Sequence, residues 1–290
     1  MNHTRDQRPE DVVEGARRYV EACRGHFDRT PYLLGRCNIC GSSTAFFCAN
    51  TELYRESLTC AICKATSRYR SLARGILRAV GELRSVSAEA LSDLGRHASA
   101  ERLTVYDTQV PFHYHTCAYP IPDVLSRCEW IDSHTSIYRP GEPCGVEIGP
   151  RMTVQNLERL TFADDSFDIV ITSDVMEHVR LDDRAHREIR RVLKPGGIYL
   201  FTVPHFRHAH DTLVRVQVVD ADDPSSDIYL LEKEYHGDAN SEGGALSYRA
   251  YGTAVDETLD ALGFTVEYSK EDSPESGIMN TELFYCRLSA

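Results

Sequence analysis

The run FDIVITSD, Phe167 to Asp174, constrains this chain more than any other segment. Its apolar residues are nearly continuous and do not alternate as in a half-exposed strand. That texture predicts a strand covered on both faces, as in a parallel sheet flanked by helices. A helix is expected over Asp182–Leu193, and Pro195-Gly196-Gly197 supplies its terminator and turn. A second apolar strand, Gly197–Val203, follows. Strand, helix and strand in that order belong to an α/β sheet.

The alternation begins at Leu103. Strands are predicted at Thr104–Tyr106, Glu129–Asp132, Thr153–Asn156, Phe264–Lys270 and Thr281–Leu288, with helices near Pro120–Ser126 and Tyr251–Leu262. Upstream, Val12, Val13, Ala16, Tyr19, Val20 and Cys23 recur at helical spacing within Asp11–Phe27. A further helix carries Tyr69, Leu72, Ile76, Leu77 and Val80 on one stripe, with Ser67 as its expected cap. These readings divide the chain into a helical and cysteine-rich lobe over 1–100 and an α/β domain over 101–290. A polar insertion at about 205–248 contains DADDPSSD and GDANSEGGA. A loop of that length is usually functional or mobile.

CNIC and CAIC form a C-x2-C pair, 19 residues, and a second C-x2-C pair. Two residues between thiolates let both reach one tetrahedral ion from a tight knuckle, and two knuckles close a four-sulfur shell. Cys37, Cys40, Cys60 and Cys63 are therefore expected to hold a structural Zn2+. Buried free thiols or a redox pair are the alternatives. Gly41 suits the turn that such a knuckle needs.

Formal charge is -12, from 32 basic and 44 acidic residues, which argues against general nucleic-acid binding. SRYRSLARGILR still places four arginines between Ser67 and Arg78. They read as a solvated helix face, or as contacts for RNA or protein. The polar start MNHTRDQRPEDVVEGARR does not read as a secretion signal, and no apolar run is long enough to span a membrane. Reduced cysteines and a cytoplasmic location are expected. Nothing in the sequence fixes the oligomeric state.

The stretch LERLTFADDSFDIVITSDVMEHVRLDDRAHREIRRVLKPGGIYLFTVP resembles class I S-adenosylmethionine-dependent methyltransferases, and YRAYGTAVDETLDALGFTVEY is similar to their last helix and strand. The cysteine-rich front with SRYRSL is similar to a bacterial subgroup with an N-terminal zinc-binding segment. The resemblance implies a Rossmann-like, seven-stranded sheet with helices on both faces and an antiparallel last strand. It also implies S-adenosylmethionine across the carboxyl ends of the first strands, where ligands sit in open α/β sheets.

Against that family, RLTVYDTQVPFHYHTC lacks the glycine-rich loop after the first strand. Glycines matter most where backbone approaches a pyrophosphate, and this cofactor has none. Asp107, Thr108 and Gln109 are expected at its methionine end, where an ammonium needs an anion and a carboxylate needs donors. Asp132, with Ser133 and His134, takes the place of the family's ribose-binding acid. Asn156, with Leu157, stands where an aspartate commonly meets the adenine amine, and an Asn carbonyl still accepts such a bond. Ser173 and Asp174 close the fourth-strand end of the pocket.

Methyl transfer is an in-line displacement, so alignment and sometimes proton removal are the protein's tasks. His178 in DVMEHV and His205 in PHFRHAHD are the candidate catalytic residues. His178 also reads as packing beside the cofactor. His205, His208, His210 and Asp211 read as a base or metal cluster, or as a polar rim loop. His113 and His115 are further imidazoles near the first strand. The expected activity is methyl transfer to an oxygen or nitrogen of a small metabolite or sugar-type acceptor. The alternative is a non-catalytic binding or scaffold protein on a degenerate fold of this type.

Overall fold

Parallel pairing of Ile169–Ser173 with Ile198–Thr202 forms the middle of the main sheet in this computed structural model. The structure describes residues 30–238 and 241–290, together with Glu14, Arg17 and Arg18. The helix expected over Asp11–Phe27 otherwise lies outside the described residues. The chain divides into two units. One takes the chain up to Arg102 with Pro111–Ile131 and Ser269–Leu283; the other takes Leu103–Val110, Asp132–Tyr268 and Phe284–Ala290.

In the first unit, β1 (Tyr32–Arg36), β2 (Ser43–Cys48) and β3 (Leu58–Cys60) form an antiparallel sheet. Helix α1 (Ser67–Arg84) follows, and a short helix α2 (Ile121–Leu125) lies further on. Ser67 does not cap α1; the cap position is Thr66, without a side-chain bond. Ser67 Oγ instead donates to the Met279 carbonyl at 3.0 Å and accepts from its amide at 2.7 Å.

The second unit contains the large sheet. Its strands are β4 (Leu103–Asp107), β5 (Ile131–Ile137), β6 (Glu147–Gly149), β7 (Met152–Val154), β8 (Phe167–Ser173), β9 (Leu193–Thr202), β12 (Phe264–Ser269) and β13 (Leu283–Leu288). Between β9 and β12 the insertion carries a hairpin of β10 (Tyr235–Asp238) and β11 (Ser241–Leu246). The order across the sheet is β12-β13-β9-β8-β4-β5-β7-β6. Strands β4, β8 and β9 are parallel, and β13 is antiparallel to β9. Seven of these strands stand in the order of a class I methyltransferase sheet. The eighth, β6, was not foreseen: it folds back on β7 through Pro150 and a left-handed Arg151, φ 56°.

Helices α3 (Asp182–Val192) and α4 (Ala254–Ala261) bring Ala185, Ile189, Val192, Val255 and Leu259 into one apolar cluster with Tyr199, Phe201 and Phe284. Asp182 and Asp183 open α3, and Arg190 and Arg191 close it, matching the helix dipole. Removing a fully buried side chain such as Ile189 would cost about 2–5 kcal/mol. The expected terminator Pro195-Gly196-Gly197 lies instead within β9, which begins at Leu193 directly after α3 and shifts register there. Gly196 has φ 77°, and a Cβ at Gly197 would lie 2.8 Å from the Lys194 carbonyl, so this irregular start of the strand needs glycine.

The insertion is more ordered than its polar sequence suggests. Arg180 binds the Asp227 carboxylate at 2.7 Å through both Nε and Nη2, and the Ala221 carbonyl at 2.8 Å. Among the described residues no helix is long and apolar enough to cross a membrane.

Candidate active site and the four-cysteine cluster

The two cysteine knuckles share one backbone pattern. The Cys37 amide donates to the Ser42 carbonyl and the Gly41 amide to the Cys37 carbonyl, at 3.0 and 2.8 Å. The Cys60 amide donates to Ala65 and the Lys64 amide to Cys60, both at 3.0 Å. The result places Cys37 Sγ 3.7 Å from Cys63 Sγ, and Cys40 Sγ 4.0 Å from Cys60 Sγ. A tetrahedron of sulfurs about 2.3 Å from a zinc ion has edges of about 3.8 Å, so the donor set fits. The cluster is one able to bind a metal ion.

Of the four arginines after the second knuckle, Arg68 and Arg70 depart from both readings, whereas Arg78 is exposed and pairs with Glu82 one turn on. Arg70 is fully buried, neither solvated nor available to a nucleic acid. Its guanidinium donates to Leu58 O at 2.9 Å, Ala65 O at 2.5 Å and Gly277 O at 2.6 Å, and lies 4.4 Å from the Phe46 ring centre. Arg68, also buried, pairs with Glu56. Burial lowers the Arg70 pKa, and the nearby cysteine sulfurs oppose that shift.

At the carboxyl ends of β4, β8 and β9 the expected residues come together in part. Asp107 is buried, and its Oδ1 accepts from the Gln109 amide at 3.0 Å, forming an Asx turn that replaces a glycine turn. Thr108 N donates to Ile171 O at 3.1 Å. Thr108 Oγ1 and Gln109 Oε1 are buried without a hydrogen-bond partner among the described residues. Buried polar atoms normally have partners, so an unmet pair at this end of the sheet is a place for a polar ligand. Ser173 and Asp174 are held by the end of β9: Thr202 Oγ1 donates to Asp174 Oδ1 at 2.8 Å, with Ser173 Oγ 3.4 Å away. Asp174 has a left-handed backbone, φ 50°.

Asn156 follows β7, but its Oδ1 already accepts from the Glu158 amide at 2.9 Å. Leu157 packs into the apolar cluster with Tyr106 and Leu160.

The second strand corrects the ribose expectation. Its predicted end, Asp132, is only the second residue of β5, which runs on to Ile137. The five remaining residues carry the strand end about 17 Å further. Tyr106 Oη meets Ser136 Oγ at 2.7 Å, so Ser136 lies beside the carboxyl end of β4. Asp132 instead pairs with Arg151 at 2.7 Å, ahead of β7, and sits 3.3 Å from His134. His134 stacks edge-on with Phe167, ring centres 5.7 Å apart, and Ser133 is buried in the strand. The expected strand stopped at Asp132 because the residues after it are polar. Ser133, Thr135 and Ser136 are small enough to be buried in a strand.

The histidines separate. His205 is buried against Tyr268 and Phe284, ring centres 5.4 and 5.0 Å away, so it packs in the core and does not line a rim. His208 and His210 are exposed, and His210 contacts Asp211 and Glu257, which raise its pKa. No metal-holding group forms from His205, His208 and His210 among the described residues. His113 and His115 belong to the other unit and are exposed; His113 pairs with Asp123 at 2.9 Å.

His178 has different company. Its Nδ1 lies 2.9 Å from Leu246 O, and its Nε2 lies 3.7 Å from Glu177 Oε1. His236 Nδ1 lies 3.8 Å from the same oxygen, and its Nε2 lies 2.9 Å from Glu234 Oε1. Glu177, with help from Glu234, pushes the His236 imidazole up to about 9 against its burial. Glu177 and His236 were missed from sequence. Glu177 was visible as the neighbour of His178, whereas nothing local links His236 to a site nearly sixty residues away.

Residues 137–201 match the family model of a methyltransferase domain. A ubiquinone/menaquinone biosynthesis C-methyltransferase of Hydrogenovibrio crunogenus is 37% identical over 91 residues, covering 28% of this chain and 36% of that protein. The chain thus spans about a third of the curated relative that it matches. Solved structures overlay loosely. An S-adenosylmethionine-dependent methyltransferase from Mesorhizobium loti shows 17% identity, 68% and 95% coverage of the two chains, and a TM-score of 0.37. One from Listeria monocytogenes shows 12%, 68%, 97% and 0.38. By its strand order and this family match, the chain has a class I methyltransferase fold with an N-terminal four-cysteine cluster able to bind metal.

Proposed function

We propose that the chain is an S-adenosylmethionine-dependent methyltransferase acting on an oxygen or nitrogen of a small metabolite or sugar-type acceptor. The observation that carries this reading is the turn Asp107-Thr108-Gln109, with its buried carboxylate and unmet Thr108 Oγ1 and Gln109 Oε1. Asp107 and Gln109 Oε1 offer acceptors to the ammonium of the cofactor, and Thr108 Oγ1 a donor to its carboxylate. When bound, S-adenosylmethionine supplies the activated methyl group. The chain's part is alignment of the acceptor and exclusion of water, for which the Arg180-tied insertion stands beside His178.

Of the two catalytic candidates, His178 suits the role. With its Nδ1 proton on Leu246 O, its Nε2 is the lone-pair nitrogen that takes a proton or holds a cation. We further infer that the cysteine quartet holds a structural Zn2+. Four sulfurs fill the shell and leave no open position for chemistry.

Titration calorimetry with S-adenosylmethionine and S-adenosylhomocysteine tests the reading. Asp107→Asn keeps the turn acceptor for the Gln109 amide but loses the charge, so at least tenfold weaker binding is expected. Absence of wild-type binding at millimolar cofactor would favour the non-catalytic alternative. Mass shifts of one methyl across hydroxyl, amine and carbon acceptors then assign the accepting atom.

A further inference from the structure

We propose that Glu177, His178 and His236 form a binding site for a first-row divalent cation such as Zn2+, separate from the cysteine cluster. The inference stands on geometry alone and does not depend on the methyl-transfer reading.

Glu177 is 0% exposed, and neither carboxylate oxygen has a hydrogen-bond partner among the described residues. A buried carboxylate without partners is costly, and natural proteins satisfy it with a cation or with donors. The nearest basic atoms are His178 Nε2 at 3.7 Å and His236 Nδ1 at 3.8 Å, too long for hydrogen bonds. All three donor groups lie within 4.8 Å of one another. Ligand atoms around a tetrahedral ion at about 2.0–2.1 Å are about 3.3 Å apart, so an inward shift of up to about 1 Å per group completes the set.

The outer nitrogens strengthen the case. Metal-bound imidazoles nearly always give their other ring nitrogen to a carbonyl or a carboxylate, which fixes the tautomer. His178 does so with Leu246 O at 2.9 Å, and His236 with Glu234 Oε1 at 2.9 Å. Glu234 is itself held by Arg215. Both remaining ring nitrogens therefore face the Glu177 carboxylate, and a bound cation would displace the proton that His236 otherwise holds there. Two imidazoles and one carboxylate suit Zn2+, Mn2+, Fe2+ or Co2+, whereas Mg2+ and Ca2+ prefer oxygen. Three protein ligands leave a position open, where a bound water or acceptor hydroxyl would lose its proton more readily.

The test is Co2+ titration of the full chain as purified, read by absorption and by metal content per chain. The expected result is one cobalt per chain beyond any metal on the cysteines. Its weak bands should lack the intense sulfur-to-cobalt absorption of a thiolate site. Glu177→Gln and His236→Asn should each weaken that uptake at least tenfold without changing the circular dichroism spectrum. His236 is partly exposed, so its replacement removes a ligand without opening the core. The proposal is overturned if the wild type takes up no further cobalt, zinc or manganese. It is equally overturned if folded His236→Asn binds as the wild type does.

Discussion

Gly41 and Lys64 occupy the same place in the two cysteine knuckles, four residues after Cys37 and Cys60, and both have left-handed backbone, φ 74° and 60°. Only one of the two is the residue that this conformation favours. Gly41→Ala should cost about 1–2 kcal/mol, set by the left-handed backbone. The new Cβ would also lie 2.7 Å from Ser92 Oγ, a side chain able to turn away. Lys64→Gly should be neutral or stabilising by up to about 1 kcal/mol, since relief of strain offsets the added freedom of the unfolded chain. Urea unfolding of the metal-loaded protein compares the pair. Equal losses in both would show that the knuckles are not equivalent.

Arg70 joins β3, the second knuckle and the Gly277 turn through three backbone carbonyls. Arg70→Met should destabilise the protein by about 1–3 kcal/mol, because it strands the buried Gly277 carbonyl while Ala65 O keeps the Cys60 amide. Arg70→Lys should recover little of it, as one ammonium cannot reproduce a planar fork. Full recovery by lysine in thermal unfolding would mean that charge, not geometry, is what the site requires.

His186 is buried on α3, and burial lowers its pKa to about 4 from an ordinary 6.5. Between those values the unfolded chain binds the proton and the folded chain does not. Stability is therefore complete above about pH 6.5 and falls as the pH drops towards 4, by up to roughly 3 kcal/mol. His186→Phe should flatten this limb of the stability profile, measured by urea unfolding at several pH values. An unchanged slope would assign the acid loss to other groups.

Asp132 sits at the amino end of β5, paired with Arg151. Asp132→Asn should leave S-adenosylmethionine affinity unchanged and alter stability by no more than about 1 kcal/mol, as a partly exposed pair implies. A tenfold affinity loss in calorimetry would return this residue to the cofactor site.

The centre of the fold was legible locally. FDIVITSD and IYLFTV are continuously apolar, as covered strands are, whereas PGG, expected as a turn between helix and strand, became an irregularity inside β9. The cysteine spacing likewise specified its cluster, because a C-x2-C knuckle is a local geometry. Polar strands were less readable. In IDSHTSI the polar residues ended the expected strand at Asp132, whereas the strand runs to Ile137 beside Tyr106, which leaves Asp132 at its amino end.

The sequence by itself determined the apolar central strands and the two cysteine knuckles, since each depends on side chains within a few residues of one another. Only the tertiary structure decided what the histidines and arginines do. His205 was turned into an aromatic core, Arg70 was drawn onto three carbonyls, and the insertion carried His236 to the buried Glu177. Charge and hydrogen-bonding capacity are properties of a residue type, but their use depends on partners that only the folded chain brings within a few ångströms.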